Sequence, residues 1–209
     1  PPDPIAGEHR SVKQYLADAI RSAGGDREYA WAVAAIAALS FALAAASFYS
    51  TYAVRELGAG TRDVARFTAI TLGASVVGMP LLGRIADRRG HKLSLEITAI
   101  CFAVAAALAL FAGSVESVYA VTLLSGIGMS GVSVSQNLLL SEFAPTHADV
   151  PMYIVFSWLV LAPFRTGAPI VAGLVSDLAS FRAMFWIALV AAATSLAVLV
   201  IAVREPRHR

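Results

Sequence analysis

Few side chains in this sequence could do chemistry, and the sharpest of them is an arginine. Arg165 lies between Pro163 and Pro169, in a run from Met152 to Leu174 that carries no other charge. A guanidinium is permanently charged and presents five N–H donors. In apolar surroundings it needs a counter-ion, backbone carbonyls or water. The two prolines lack N–H groups and so leave carbonyls of the preceding turn unbonded. Three readings stay open for Arg165: contact with an anionic substrate, pairing with an acid from elsewhere, or a side chain that snorkels to the outer surface. A second set is neutral and polar. Within 117–141, Ser130, Ser133 and Asn137 recur at spacings of three and four and share one helical face, with Gln136 beside them. Unpaired amides are costly away from water, so Gln136 and Asn137 either line a wet cavity or find partners inside a bundle. Each serine has the bland alternative of bonding back to its own helix or mediating helix packing. Phe41, Phe48 and Tyr52 fall on one face of the first apolar run, as a cavity wall, as core, or as part of an interfacial aromatic belt. Thr68, Thr71 and Ser75 add hydroxyls to the second run.

The elements that must position these groups are set by composition. Of 209 residues, 58% are hydrophobic and only 14% charged, with a mean hydropathy of +0.70. Soluble domains carry about a quarter charged residues, and a globule of this size could not bury so much apolar side chain. The charges are also clumped: Leu93 to Gly113 holds one, Glu96. A net charge of +2 and a single Cys101 exclude a nucleic-acid binder and a disulfide-stapled domain. What remains is an all-α integral membrane protein. Six apolar runs reach the roughly 20 residues that cross a bilayer, at about 30–54, 66–86, 93–113, 117–141, 151–175 and 182–203. None shows the alternation of a barrel strand.

Basic residues orient the spans. With the N-terminus inside, Arg10, Lys13, Arg21, Arg27, Arg84, Arg88, Arg89, Lys92, Arg204, Arg207 and Arg209 are cytoplasmic, against Arg55, Arg62, Arg66 and Arg182 outside. That asymmetry places both termini in the cytoplasm. Residues 1–26 read as a linker, Pro-rich at Pro1-Pro2-Asp3-Pro4, with an amphipathic helix at 11–22 lying on the membrane surface. Asp26 is placed to cap the first span. Residues 27–206 form the membrane domain and 204–209 a cytoplasmic tail.

The second and third spans are joined by Gly83-Arg84-Ile85-Ala86-Asp87-Arg88-Arg89-Gly90-His91-Lys92. Gly90 suits a turn that needs positive φ, Asp87 suits a helix N-terminus, and Arg88, Arg89 and Lys92 hold the inner side. Glu96, one turn into the third span, is expected to pair with Arg84 or Arg88, because an unpaired acid there is costly.

This string resembles the loop motif between the second and third helices of each half of the major facilitator superfamily. Six spans with both ends inside resemble one six-helix half of such a transporter. The linker-like start and the closing Arg204-Glu205-Pro206-Arg207 are similar to the C-terminal half of bacterial members. The resemblance implies a secondary transporter of a small solute, not an enzyme, without a cofactor, working by rocking of two halves in the bacterial plasma membrane. Its partner would be the N-terminal six-helix half. It also implies that spans one, two, four and five face a central cavity and that spans three and six face lipid. Gly83, Arg84, Asp87, Arg88, Gly90, Lys92 and Glu96 would form a gating latch. Arg165, Asn137, Gln136, Ser133, Ser130, Phe48 and Tyr52 would be the cavity candidates. The motif carries no information about the substrate.

Two other classes were weighed. Gly128-Met129-Ser130-Gly131 has the Gly-x-Ser-Gly form seen in six-helix rhomboid-type proteases. A serine nucleophile needs an adjacent base, and His9, His91, His147 and His208 all lie outside the spans. The remaining alternative is a stand-alone six-helix protein acting as a homo-oligomer.

Overall fold

The computed structural model describes residues 26–204. The linker, its amphipathic segment at 11–22 and the tail beyond Arg204 lie outside the described residues. Those described form seven helices: α1 Arg27–Ala46, α2 Tyr49–Leu57, α3 Thr61–Arg89, α4 His91–Leu110, α5 Val115–Ser141, α6 Val150–Leu178 and α7 Phe181–Ala202. They supply six membrane-length spans, because α1 and α2 follow one another in the first. The fold is thus all-α, with six spans where the hydropathy places them.

Local chemistry sets the ends. Asp26 accepts hydrogen bonds from the Glu28 and Tyr29 N–H groups at 3.0 and 3.1 Å, capping α1 as its sequence position implies. Ser114 and Ser180 cap α5 and α7 in the same way. Gly90 turns α3 into α4 at φ 98°, a conformation that only glycine adopts without strain. The break in the first span falls at Ser47 and Phe48, which the hydropathy of 30–54 gives no reason to expect.

Small residues decide the packing. α5 lies against both α3 and α4. A side chain at Gly126 would run into the Thr71 backbone and Ala74, one at Gly128 into the Phe102 ring, and one at Gly131 into Thr98 and Leu82. Without a strong hydrophobic drive between helices in lipid, such close approach is what holds spans together. α3 answers with a buried stripe, Phe67, Ala74, Gly78, Leu82 and Ala86. α1 and α4 both pack on α7 through alanine-rich faces that include Ala105, Ala106, Ala109, Ala188 and Ala192.

Burial is uneven. The apolar cores of the first and third spans are 56% and 50% buried, whereas those of the second and fifth are only 22% and 17% buried. α3 exposes Leu72, Val76, Val77 and Leu81, and α6 exposes Val155, Trp158, Leu159 and Leu174.

Candidate functional site

The open side of α5 and α6 carries the polar cluster that matters most. The Trp158 indole N–H donates to the Asn137 side-chain oxygen at 3.2 Å. The Arg165 guanidinium carbon stands over the Trp158 ring, 4.9 Å from its centre. Trp158 and Arg165 are seven residues apart, two turns along one stripe of α6, so the cation reaches back along its own helix. Asn137 and Ser133 are exposed beside them, with the Ser133 hydroxyl donating to the Met129 carbonyl at 3.0 Å. Pro163 and Pro169 both lie inside α6, and Pro169 cannot donate to the carbonyl of Arg165. Trp158 escaped the sequence reading. Its signal was available, since an indole N–H in the middle of an apolar run also needs an acceptor.

A second cleft, mostly apolar in surface but fringed with hydroxyls, opens at the break of the first span. A cleft of about 410 Å³ is lined by Ser47, Tyr49, Ser50, Thr68, Thr71, Thr122 and Ser125, with Leu43, Leu72 and Met129 among its apolar walls. Several of these hydroxyls have given their protons to backbone carbonyls: Thr68 to Val64 at 3.0 Å, Thr122 to Tyr119 at 3.0 Å and Ser125 to Val121 at 2.8 Å. What they can still offer a ligand is lone pairs. The buried Tyr49 hydroxyl finds no hydrogen-bond partner among the described residues.

Four of the cavity candidates are buried or half-buried. Tyr52 is buried, its hydroxyl donating to the Ala112 carbonyl at 2.6 Å and its ring set edge-on against Phe185. It ties the α2 end of the first span to the third and sixth, because a buried phenol must find an acceptor. Phe48 sits at the break, half-buried near Gly173 and packed on the same apolar cluster. Ser130 is fully buried against Gly78, with its hydroxyl donated to the Ile127 carbonyl at 2.6 Å, the packing role rather than an open one. A hydroxyl so placed has neither base nor access, as the protease reading would require. Gln136 is 4% exposed, although its neighbour Asn137 is open.

The loop motif is confirmed in its turn and corrected in its pairing. Gly83 is half-buried near Val134 of α5, and Arg84, Asp87, Arg88 and Arg89 are exposed at the end of α3. Arg84 bonds back to the Pro80 carbonyl at 3.4 Å. Glu96 pairs with Lys92 at 3.5 Å, not with Arg84 or Arg88. Residues four apart on α4 share a face, while the Gly90 turn leaves the arginines on the other helix. At the opposite ends of the spans, Arg55 and Asp177 form an exposed ion pair at 3.0 Å that joins α2 to α6. Sequence reasoning gave no hint of that pair, whose members are 122 residues apart.

A family model described as Major Facilitator Superfamily matches residues 30–209. The chain belongs to this superfamily of membrane transporters. It is also similar to Myo-inositol transporter 2 of Cryptococcus neoformans var. grubii serotype A (strain H99), with 26% identity over 150 residues. That match covers 67% of this chain and 26% of the relative. The chain thus spans well under half of the curated relative's length. Membership accounts for the loop motif and for six helices long and apolar enough to cross a membrane.

Proposed function

We propose that the chain is the C-terminal six-helix half of a secondary transporter that moves a small polar solute by alternating access. Its partner is the N-terminal half, in the same bilayer, with both termini cytoplasmic. The observation that carries this reading is the uneven burial of the spans. The two least buried, α3 and α6, both pack on α5, and the Asn137–Trp158–Arg165 cluster lies between α5 and α6. A face with Asn137, Ser133 and Arg165 is expensive against lipid and reasonable against a wet cavity. The hydroxyl-lined cleft suits a hydroxylated solute, a class to which the printed name of the fungal relative also points. In this account Asp87 latches the cytoplasmic side against a helix end of the partner half, and the start of α6 at Asp149–Pro151 receives the matching latch. A composition rich in Ala and Arg and poor in Lys supports a bacterial plasma membrane; the fungal origin of the relative stands against it.

The test is solute flux in proteoliposomes holding the intact protein, with a panel that includes myo-inositol. Saturable flux of one solute, together with inner-side cysteine probes that become more reactive in Asp87→Asn, is expected. Correctly inserted protein that moves none of the panel, or a latch variant with unchanged accessibility, would overturn the reading.

A further inference from the structure

Arg165 is the one described basic residue in the middle third of a span, and its surroundings say what it lacks. It stands about 22 Å from the start of α6 and about 20 Å from its end at 1.5 Å per residue, so neither interface is close. The Trp158 ring below it compensates part of the charge but supplies no oxygen acceptor. No carboxylate is available at its depth on the elements packed against α6. α1 has only Glu28, α5 only Glu116, and α7 no acid; all of α6 up to Ser176 is free of Asp and Glu. The ring itself is braced, since its N–H is fixed on Asn137. The cation is therefore pre-positioned on the open face by a chain of two contacts running from α5 to α6.

A permanently charged group in low dielectric needs an anion or water within reach. A planar fork of N–H donors matches a planar pair of oxygens, and bidentate pairing with a carboxylate is the strongest form of that match. We infer that Arg165, held by Trp158 and Asn137, is a carboxylate-binding site on the cavity side of this chain. Two sources can present a carboxylate there, a solute that carries one or an acidic side chain of the partner half. This inference rests on the transporter reading for the face being a cavity wall, but not for the pairing chemistry itself.

The experiment is ligand-dependent melting of the purified intact protein, at constant ionic strength set with sodium chloride. D-glucuronate and acetate are the carboxylate probes, and myo-inositol is the neutral one. If the carboxylate comes from the solute, D-glucuronate raises the melting temperature of the wild type in a saturable way. Its apparent Kd then rises about tenfold or more in Arg165→Gln, less in Arg165→Lys, which keeps the charge and loses the fork. Trp158→Phe also weakens D-glucuronate, as a positioning residue should, and leaves any response to myo-inositol unchanged. If the carboxylate is a side chain of the partner half, no probe shifts the wild type. Arg165→Gln then melts several degrees lower or fails to fold, and Arg165→Lys restores most of the loss. The inference is overturned if Arg165→Gln melts like the wild type without gaining or losing a carboxylate response. It is also overturned if D-glucuronate stabilises wild type and Arg165→Gln alike. Loss of solute flux with intact carboxylate binding would sink the transport reading and leave this one standing.

Discussion

Two sets of residues on one helix, α5, are of the same types and behave in opposite ways. Ser130 and Ser133 are three residues apart, and Gln136 and Asn137 are neighbours, yet the first of each pair is buried and the second exposed. Ser130 lies where α5 approaches α3 and α4 through Gly126, Gly128 and Gly131, and its hydroxyl is closed off by a bond to its own helix. The open face instead hands its amide to a tryptophan on α6, and that tryptophan supports a cation. In a membrane helix, then, a polar residue says little until its neighbours are known. Close helix contact makes Ser130 structural, and exposure beside a tryptophan-braced cation makes Ser133 and Asn137 available for function.

Substitutions can break this contrast in a graded order. Gly126→Leu should have the largest effect, since the added side chain meets backbone of α3 that cannot move aside. Overpacking costs about 1–3 kcal/mol and sometimes more, and folded protein recovered by size-exclusion chromatography should fall to little or none. Next comes Tyr52→Phe, which removes the hydrogen bond to the Ala112 carbonyl. A loss of about 1 kcal/mol is expected, read as a lower melting temperature with solute binding unchanged, because this side chain lies away from the open face. Breaking the exposed Arg55–Asp177 pair with Asp177→Asn should cost no more than about 1 kcal/mol, and the difference should shrink further in high salt. Ser133→Ala should be smallest for stability, within about 0.5 kcal/mol as at other exposed positions. A large destabilisation there would mean that the open face is itself a packed one.

The sequence made some of this legible. Span number, fold class and family followed from run length, charge placement and the string Gly83 to Lys92. The positive φ of Gly90 and the cap by Asp26 were readable because a glycine turn and an N-cap are local. Placement of the site residues was not. Deciding between Ser130 and Ser133 requires knowing where α3 crosses α5, which depends on long-range glycine contacts. The burial of Tyr52 could not be chosen over its alternatives because its acceptor, Ala112, is 60 residues away. The pairing of Glu96 was a local matter that could have been resolved, since Lys92 lies four residues earlier on the same helix. The break at Ser47 leaves hydropathy unchanged and so left no trace in a reading built on it.

The most direct test of the central claim, that the open side of α5 and α6 borders water rather than lipid, is cysteine labelling in intact membranes. With native cysteines removed, Cys101→Ser among them, cysteines are placed one at a time at Ser133, Asn137 and Leu159, and at Val104 and Val190 on the outward faces of α4 and α7. A small water-soluble maleimide should label the first three and spare the last two. Equal protection of all five positions would contradict the account, because it would leave Arg165 and its tryptophan facing lipid.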